Sequence, residues 1–202
     1  SLHDALPICC FVTTTINVNP APGPISGPGS VCTGFTITLL NSVSGGSWSS
    51  SNALIASVGS VSGVVTGEAA GTATITYSMG LGCIATAVVA VYTSPTVISG
   101  PSAVCVGSNM TLTNGVTGGT WISSNTAVAT IGLSSGIVTG ISLGTSTITY
   151  TVAGGCLITK TITVSPTPGP VLGTPNPCVG GYTTYTNIVP GGLWTSSGTA
   201  LT

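Results

Sequence analysis

A period of 73 residues constrains this chain more than any other feature. The segment GGSWSSSNALIASVGSVSGVVTGEAAGTATITY (45–77) returns without a gap as GGTWISSNTAVATIGLSSGIVTGISLGTSTITY (118–150). Trp48, Trp121 and Trp194 keep the same spacing, as do Cys10, Cys83 and Cys156, then Cys32, Cys105 and Cys178, and also Tyr77 and Tyr150. Self-similarity at a fixed period means one structural unit copied in tandem. Proline-rich stretches, NPAPGPISGPGS (19–30), TSPTVISGPSA (93–103) and SPTPGPVLGTPNP (165–177), separate the copies as semi-rigid connectors that resist ladder pairing.

The expected organisation is therefore a first repeat over 24–94, a second over 95–166 and a truncated third over 167–202. Residues 9–19, CCFVTTTINVN, match GCLITKTITVS (155–165) and read as the last strand of a preceding repeat. Residues 1–8, SLHDALPI, match neither repeat. They resemble the translation of a common sequencing adapter and are expected to be an artefact, which removes His3 and Asp4 from the functional inventory.

Within one repeat the pattern is that of strands. In TSTITYTV (145–152), Ile148, Tyr150 and Val152 fall on one face and Thr145, Thr147 and Thr149 on the other, the period-two alternation of a half-buried strand. TLTN (111–114), TWIS, AVATI (127–131), GIVTG (136–140) and LITKTITVS (157–165) add further short strands separated by Gly and Ser turns. About seven strands at such spacing predict an all-β fold of tandem immunoglobulin-like β-sandwiches. No stretch carries helical periodicity.

These residues bring a family into view. W-S-S-S-N, then A-x-V, then V-T-G-x-x-x-G-T-x-T-I-T resembles the bacterial immunoglobulin-like domain, group 2. The added V-C-x-G and G-C motifs are similar to tandem repeats of Bacteroidota-type surface and adhesin proteins. The resemblance covers residues 9–202 and implies a stalk or adhesive segment of a large secreted or cell-surface protein. The chain departs from that pattern in having few Asp and Lys.

Charge decides what the surface can do. After residue 8 the only charged side chains are Glu68 and Lys160, and the whole chain is 1% charged against about 25% in an ordinary domain. Nucleic acid needs clustered Lys and Arg, so it is not an expected partner. Mean hydropathy is high, +0.67, yet the most apolar stretch (83–100) is interrupted by Thr, Ser and Pro and falls short of the roughly 20 residues of a spanning helix. No membrane insertion is expected. Catalysis has no histidine or aspartate to activate a serine, and Glu68 stands alone, so neither an enzyme nor a cofactor is expected. Zinc and calcium lack their ligand sets, so no metal is expected either.

The tryptophans Trp48 and Trp121, with Tyr77 and Tyr150, are read as core aromatics; exposed, they would instead form a sugar-stacking platform and make the chain a carbohydrate-binding module. A phage virion decoration domain is the other alternative. Threonine-rich strands evoke ice-binding arrays, but their once-per-73 recurrence favours ordinary solvent-facing β-formers. The cysteines read as structural disulfides and an extracellular or cell-surface location. Pairing within a repeat, Cys32 with Cys83 and Cys105 with Cys156, closes a 51-residue separation, and each such bond would stabilise by roughly 4 kcal/mol in the chain-entropy model. The rival is a bridge between neighbouring repeats such as Cys32 to Cys156, because the relevant turns of such a sandwich lie at opposite ends. Partners are expected to be neighbouring repeats and a surface ligand or glycan, reached through domains outside this chain.

With so few ionisable side chains after residue 8, stability should hardly depend on pH. The melting temperature of the oxidised protein, followed by circular dichroism, is expected to move by no more than a few degrees between about pH 5 and 9.

Overall fold

A computed structural model describes Val18 and residues 20–175, 177–178 and 180–196. The remaining positions lie outside the described residues, among them 1–8 and nearly all of the expected strand over 9–19. The chain divides into two compact units, the first ending at Val91 and the second beginning at Tyr92.

In the first unit, seven strands follow one another: β1 (Ser30–Cys32), β2 (Thr36–Thr38), β3 (Ser47–Ser50), β4 (Ala56–Val58), β5 (Val64–Gly67), β6 (Gly71–Ser78) and β7 (Ile84–Tyr92). They form two sheets, β1-β7-β6-β3 and β2-β5-β4. β6 shows why: Ala73, Ile75 and Tyr77 point into the core while Thr72, Thr74 and Thr76 stay wetter. The β-branched threonines suit the pleated outer surface without adding charge. Facing β6 across the sandwich are Val65 and Leu39, and Trp48, Val89 and Val91 complete the core.

The second unit repeats this plan. Its strands are β8 (Ala103–Cys105), β9 (Asn109–Thr111), β10 (Thr120–Ser123), β11 (Ala129–Ile131), β12 (Ile137–Gly140), β13 (Gly144–Thr151) and β14 (Leu157–Ser165). Each begins and ends 73 positions after its counterpart, and the sheets are β10-β13-β14-β8 and β11-β12-β9. Both units are immunoglobulin-like β-sandwiches, and the described residues contain no α-helix, only a 3-10 turn at Ala153–Gly155. Tight turns at equal places use glycine: Gly63 and Gly136 both have φ 67°. A Cβ at Gly63 would lie 3.0 Å from the Trp48 ring and closer still to the Leu39 carbonyl, so this hairpin end docks directly on the core.

Beyond Ser165 the repeat weakens. Leu172 and Thr186 form an isolated antiparallel bridge that matches Ser26–Leu40 and Ser99–Thr113. Residues 182–184 and 193–196, the counterparts of β9 and β10, form no strand, although the sequence reads as though they should. β9 pairs with β12 and β10 with β13; adding 73 puts the corresponding partners past residue 202.

The two cores differ most at one buried position, where Ala73 of the first unit becomes Ser146. The hydroxyl is satisfied: its Oγ lies 2.8 Å from Ser123 Oγ and accepts from Asn125 N at 3.1 Å. Ser123 Oγ in turn donates to the Ala129 carbonyl at 2.6 Å. Because these neighbours keep partners without it, Ser146→Ala should change stability by less than about 1 kcal/mol. Ile148→Ala, two residues along the same face, removes a fully buried side chain and should cost about 2–5 kcal/mol. Urea denaturation of the two variants would check the contrast.

Candidate functional site

At one end of each sandwich an aromatic pair meets a loop carbonyl and a loop amide. Trp48 on β3 sits opposite Tyr77 on β6, with ring centroids 4.6 Å apart at 49°. Trp121 and Tyr150 repeat this at 4.3 Å and 39°. The Tyr77 hydroxyl donates to the Val43 carbonyl at 2.7 Å and accepts from Gly46 N at 2.7 Å; Tyr150 does the same with Val116 and Gly119 at 2.7 and 2.9 Å. Gly46 has no side chain for good reason, since a Cβ there would collide with the Tyr77 ring. One tyrosine thus ties down the loop that carries the chain from β2 across to β3.

A second part of this arrangement went unread in the sequence. Asn41 Nδ2 donates to the Gly23 carbonyl at 2.6 Å while its Oδ1 accepts from Val43 N at 3.0 Å. Asn114 bridges the Thr96 carbonyl and Val116 N in the same way, and Asn187 bridges the Gly169 carbonyl and Val189 N. The signal was available, because asparagine recurs at all three positions 73 apart.

Trp48 and Trp121 are only 7% and 5% exposed, so neither offers a ring face to a sugar. A depression beside Trp48 is lined by apolar and neutral groups, among them Leu40, Asn41, Val61 and Tyr77. Trp194 differs. It is 60% exposed and lines, with Pro168, Val171, Tyr185 and Val189, an open cavity of about 500 Å³. None of these residues is an acid or a base. Among the described residues no three His, Cys, Asp or Glu side chains gather as a metal site, and no helix is long and apolar enough to cross a membrane. Glu68 accepts a hydrogen bond from Ser57 Oγ at 2.8 Å, and Lys160 donates to the carbonyls of Ile98 and Gly100; the two charges lie in different units.

The cysteines require a correction. Cys32 and Cys156 are each disulfide-bonded, whereas Cys83 and Cys105 carry free thiols, so neither Cys32–Cys83 nor Cys105–Cys156 is formed. Strand register gives the reason. Cys105 lies opposite Ser165 at the end of β14, and Cys156 immediately precedes its start. Nine residues at about 3.3 Å each put them roughly 30 Å apart, against the 7 Å a disulfide tolerates between Cα atoms. In the first unit Ala90 N donates to the Gly29 carbonyl at 3.0 Å, which places Cys32 at the far end of β7 from Cys83 in the same way.

Removing the tyrosine hydroxyl tests what holds the aromatic end together. Tyr77→Phe leaves the Val43 carbonyl and Gly46 N without their partner, a loss of about 1–3 kcal/mol. Tyr150→Phe should cost about the same, and thermal melts of the two single variants would show it.

No family model and no curated protein matches the chain. Among solved structures it is similar to a C-terminal 282-residue fragment of intimin, solved in complex with the intimin-binding domain of the translocated intimin receptor. That likeness has a TM-score of 0.53 at 18% identity, over 74% of this chain and 65% of that one. Extracellular domains 3–5 of Drosophila OTK match at 11% identity with a TM-score of 0.39, over 72% of this chain and 59% of that one. Murine CEACAM1b matches at 14% with a TM-score of 0.37, over 71% and 99%. At these identities the likeness to intimin is one of fold.

Proposed function

We propose that the chain is a non-catalytic stalk or adhesive segment of a large secreted or cell-surface bacterial protein, built from group 2-like repeats over 24–94, 95–166 and 167–202. On this reading residues 9–19 close a preceding repeat, the location is extracellular, and any ligand or glycan is met by other domains. One observation carries it. The first and last strands of a sandwich, β8 and β14, are parallel neighbours, with Ala103, Val104 and Cys105 beside Thr163, Val164 and Ser165. Tension along the chain enters before β8 and leaves after β14, so it pulls the two strands past each other and loads their hydrogen bonds together, in shear. A tether needs that geometry. The fold likeness to the intimin fragment, which was solved in complex with a receptor domain, supports the adhesive side of the reading.

The carbohydrate-binding alternative loses its platform at Trp48 and Trp121. Trp194, Tyr182 and Tyr185 are exposed aromatics among the described residues on which it could still rest.

Single-molecule stretching under reducing conditions tests the load-bearing reading. Two unfolding events of similar force are expected, each lengthening the chain by roughly 20 nm at ~3.3 Å per residue. Val104→Pro, which breaks the β8–β14 ladder, should lower the force of one event and spare the other. Equal forces in the variant and the parent would count against a mechanical role.

A further inference from the structure

The last strand of each sandwich is longer than its outer neighbour. β8 covers only Thr163–Ser165 of β14, so the outer edge of Leu157–Thr161 has no backbone partner among the described residues. β7 is left the same way over Ile84–Val88. Ala90 N points outward to the Gly29 carbonyl, so by strand alternation the N–H and C=O groups of Ile84, Thr86 and Val88 also point outward. Such a row is a template for another strand, and proteins blunt it with devices that include an inward-pointing charge.

The two repeats differ at that device. Lys160 lies on the inward face of β14 and its Nζ reaches back to the carbonyls of Ile98 and Gly100, beside the open edge. A strand approaching there must strip water from an ammonium group. The counterpart in β7 is Ala87. The β7 edge is also more apolar: Ile84 and Val88 are 55% and 62% exposed and flank Thr86, where β14 has Leu157, Thr159 and Thr161.

We propose that the outer edge of β7 is a strand-addition surface and that its partner is β7 of a second copy of this chain. The edge is complementary to itself. Antiparallel pairing about Thr86 sets Ile84 against Val88 of the other copy on both sides of the axis and Thr86 against Thr86. These are β-branched pairs of the kind that stabilise sheets. The two-fold arrangement closes after two copies. No like charges meet across it, because β7 contains none and the chain's formal net charge is −1. Only a handful of residues per copy take part, so the dimer is a weak one.

Sedimentation equilibrium of the whole chain, with free thiols alkylated and disulfides intact, tests this. The mass should rise from 19.5 kDa towards twice that value as concentration increases. Ala87→Lys introduces the residue the second repeat already accommodates, with the Ile25 and Gly27 carbonyls in place of those of Ile98 and Gly100. Thr86→Pro removes an outward N–H without touching the β6 ladder. Circular dichroism should show both variants folded, and both should stay at monomer mass throughout. Three results would overturn the proposal: a wild-type chain that is monomeric at millimolar concentration, variants that associate as it does, or association lost only on replacing Trp194.

Discussion

A single phenolic hydroxyl holds the crossing from one sheet to the other in each sandwich. The loop after β2 must leave its sheet and rise to β3, and there its backbone can pair with neither ladder. Tyr77 meets the need twice over, donating to the Val43 carbonyl and accepting from Gly46 N, while its ring packs on Trp48. Asn41 extends the same chain of bonds to the incoming segment at Gly23. In a chain almost without ions this is the solution one expects: neutral donors and acceptors matched one to one, since an unpaired buried polar group costs more than a bond contributes. Among the described residues no buried side-chain nitrogen or oxygen lacks a partner.

Much of the fold was legible because two periodicities coincide. Alternation along TSTITYTV assigns the faces of β13, and the 73-residue offset transfers that assignment to β6. The disulfide pattern was legible only as two alternatives, within a repeat or between repeats. A 51-residue separation says nothing about which end of a sandwich each cysteine occupies; the parallel register of β8 on the last three residues of β14 does. Asn41, Asn114 and Asn187 escaped for another reason. Asparagine between strands reads as a generic turn former, and only coordinates show its amide reaching 18 residues back in the chain. For Lys160, alternation gives the side chain's face but not the carbonyls it reaches.

The two charges after residue 8 share a habit of placement. Glu68 follows β5 and accepts from Ser57 on β4, an outer strand of its sheet. Lys160 sits on the part of β14 that β8 does not cover. Their counterparts in the other repeat, Ile141 and Ala87, are uncharged. Each sandwich therefore spends its one ionic group at a different margin, and two repeats with the same backbone present different borders to their surroundings.

The equal strand boundaries have a consequence for inheritance. With all seven strands in β8–β14 displaced by 73 positions from β1–β7 and no insertion between, a loss or gain of 73 residues can begin at any point within a repeat and still leave whole sandwiches. A junction inside β5 joined to the same point of β12 yields a hybrid with every turn and cysteine in place. Such a hybrid must accommodate the buried differences Ala73/Ser146, where either residue fits beside the serines of β3 or β10, and Val89/Ile162. Recombination between copies thus changes the length of the molecule without passing through a misfolded intermediate sequence.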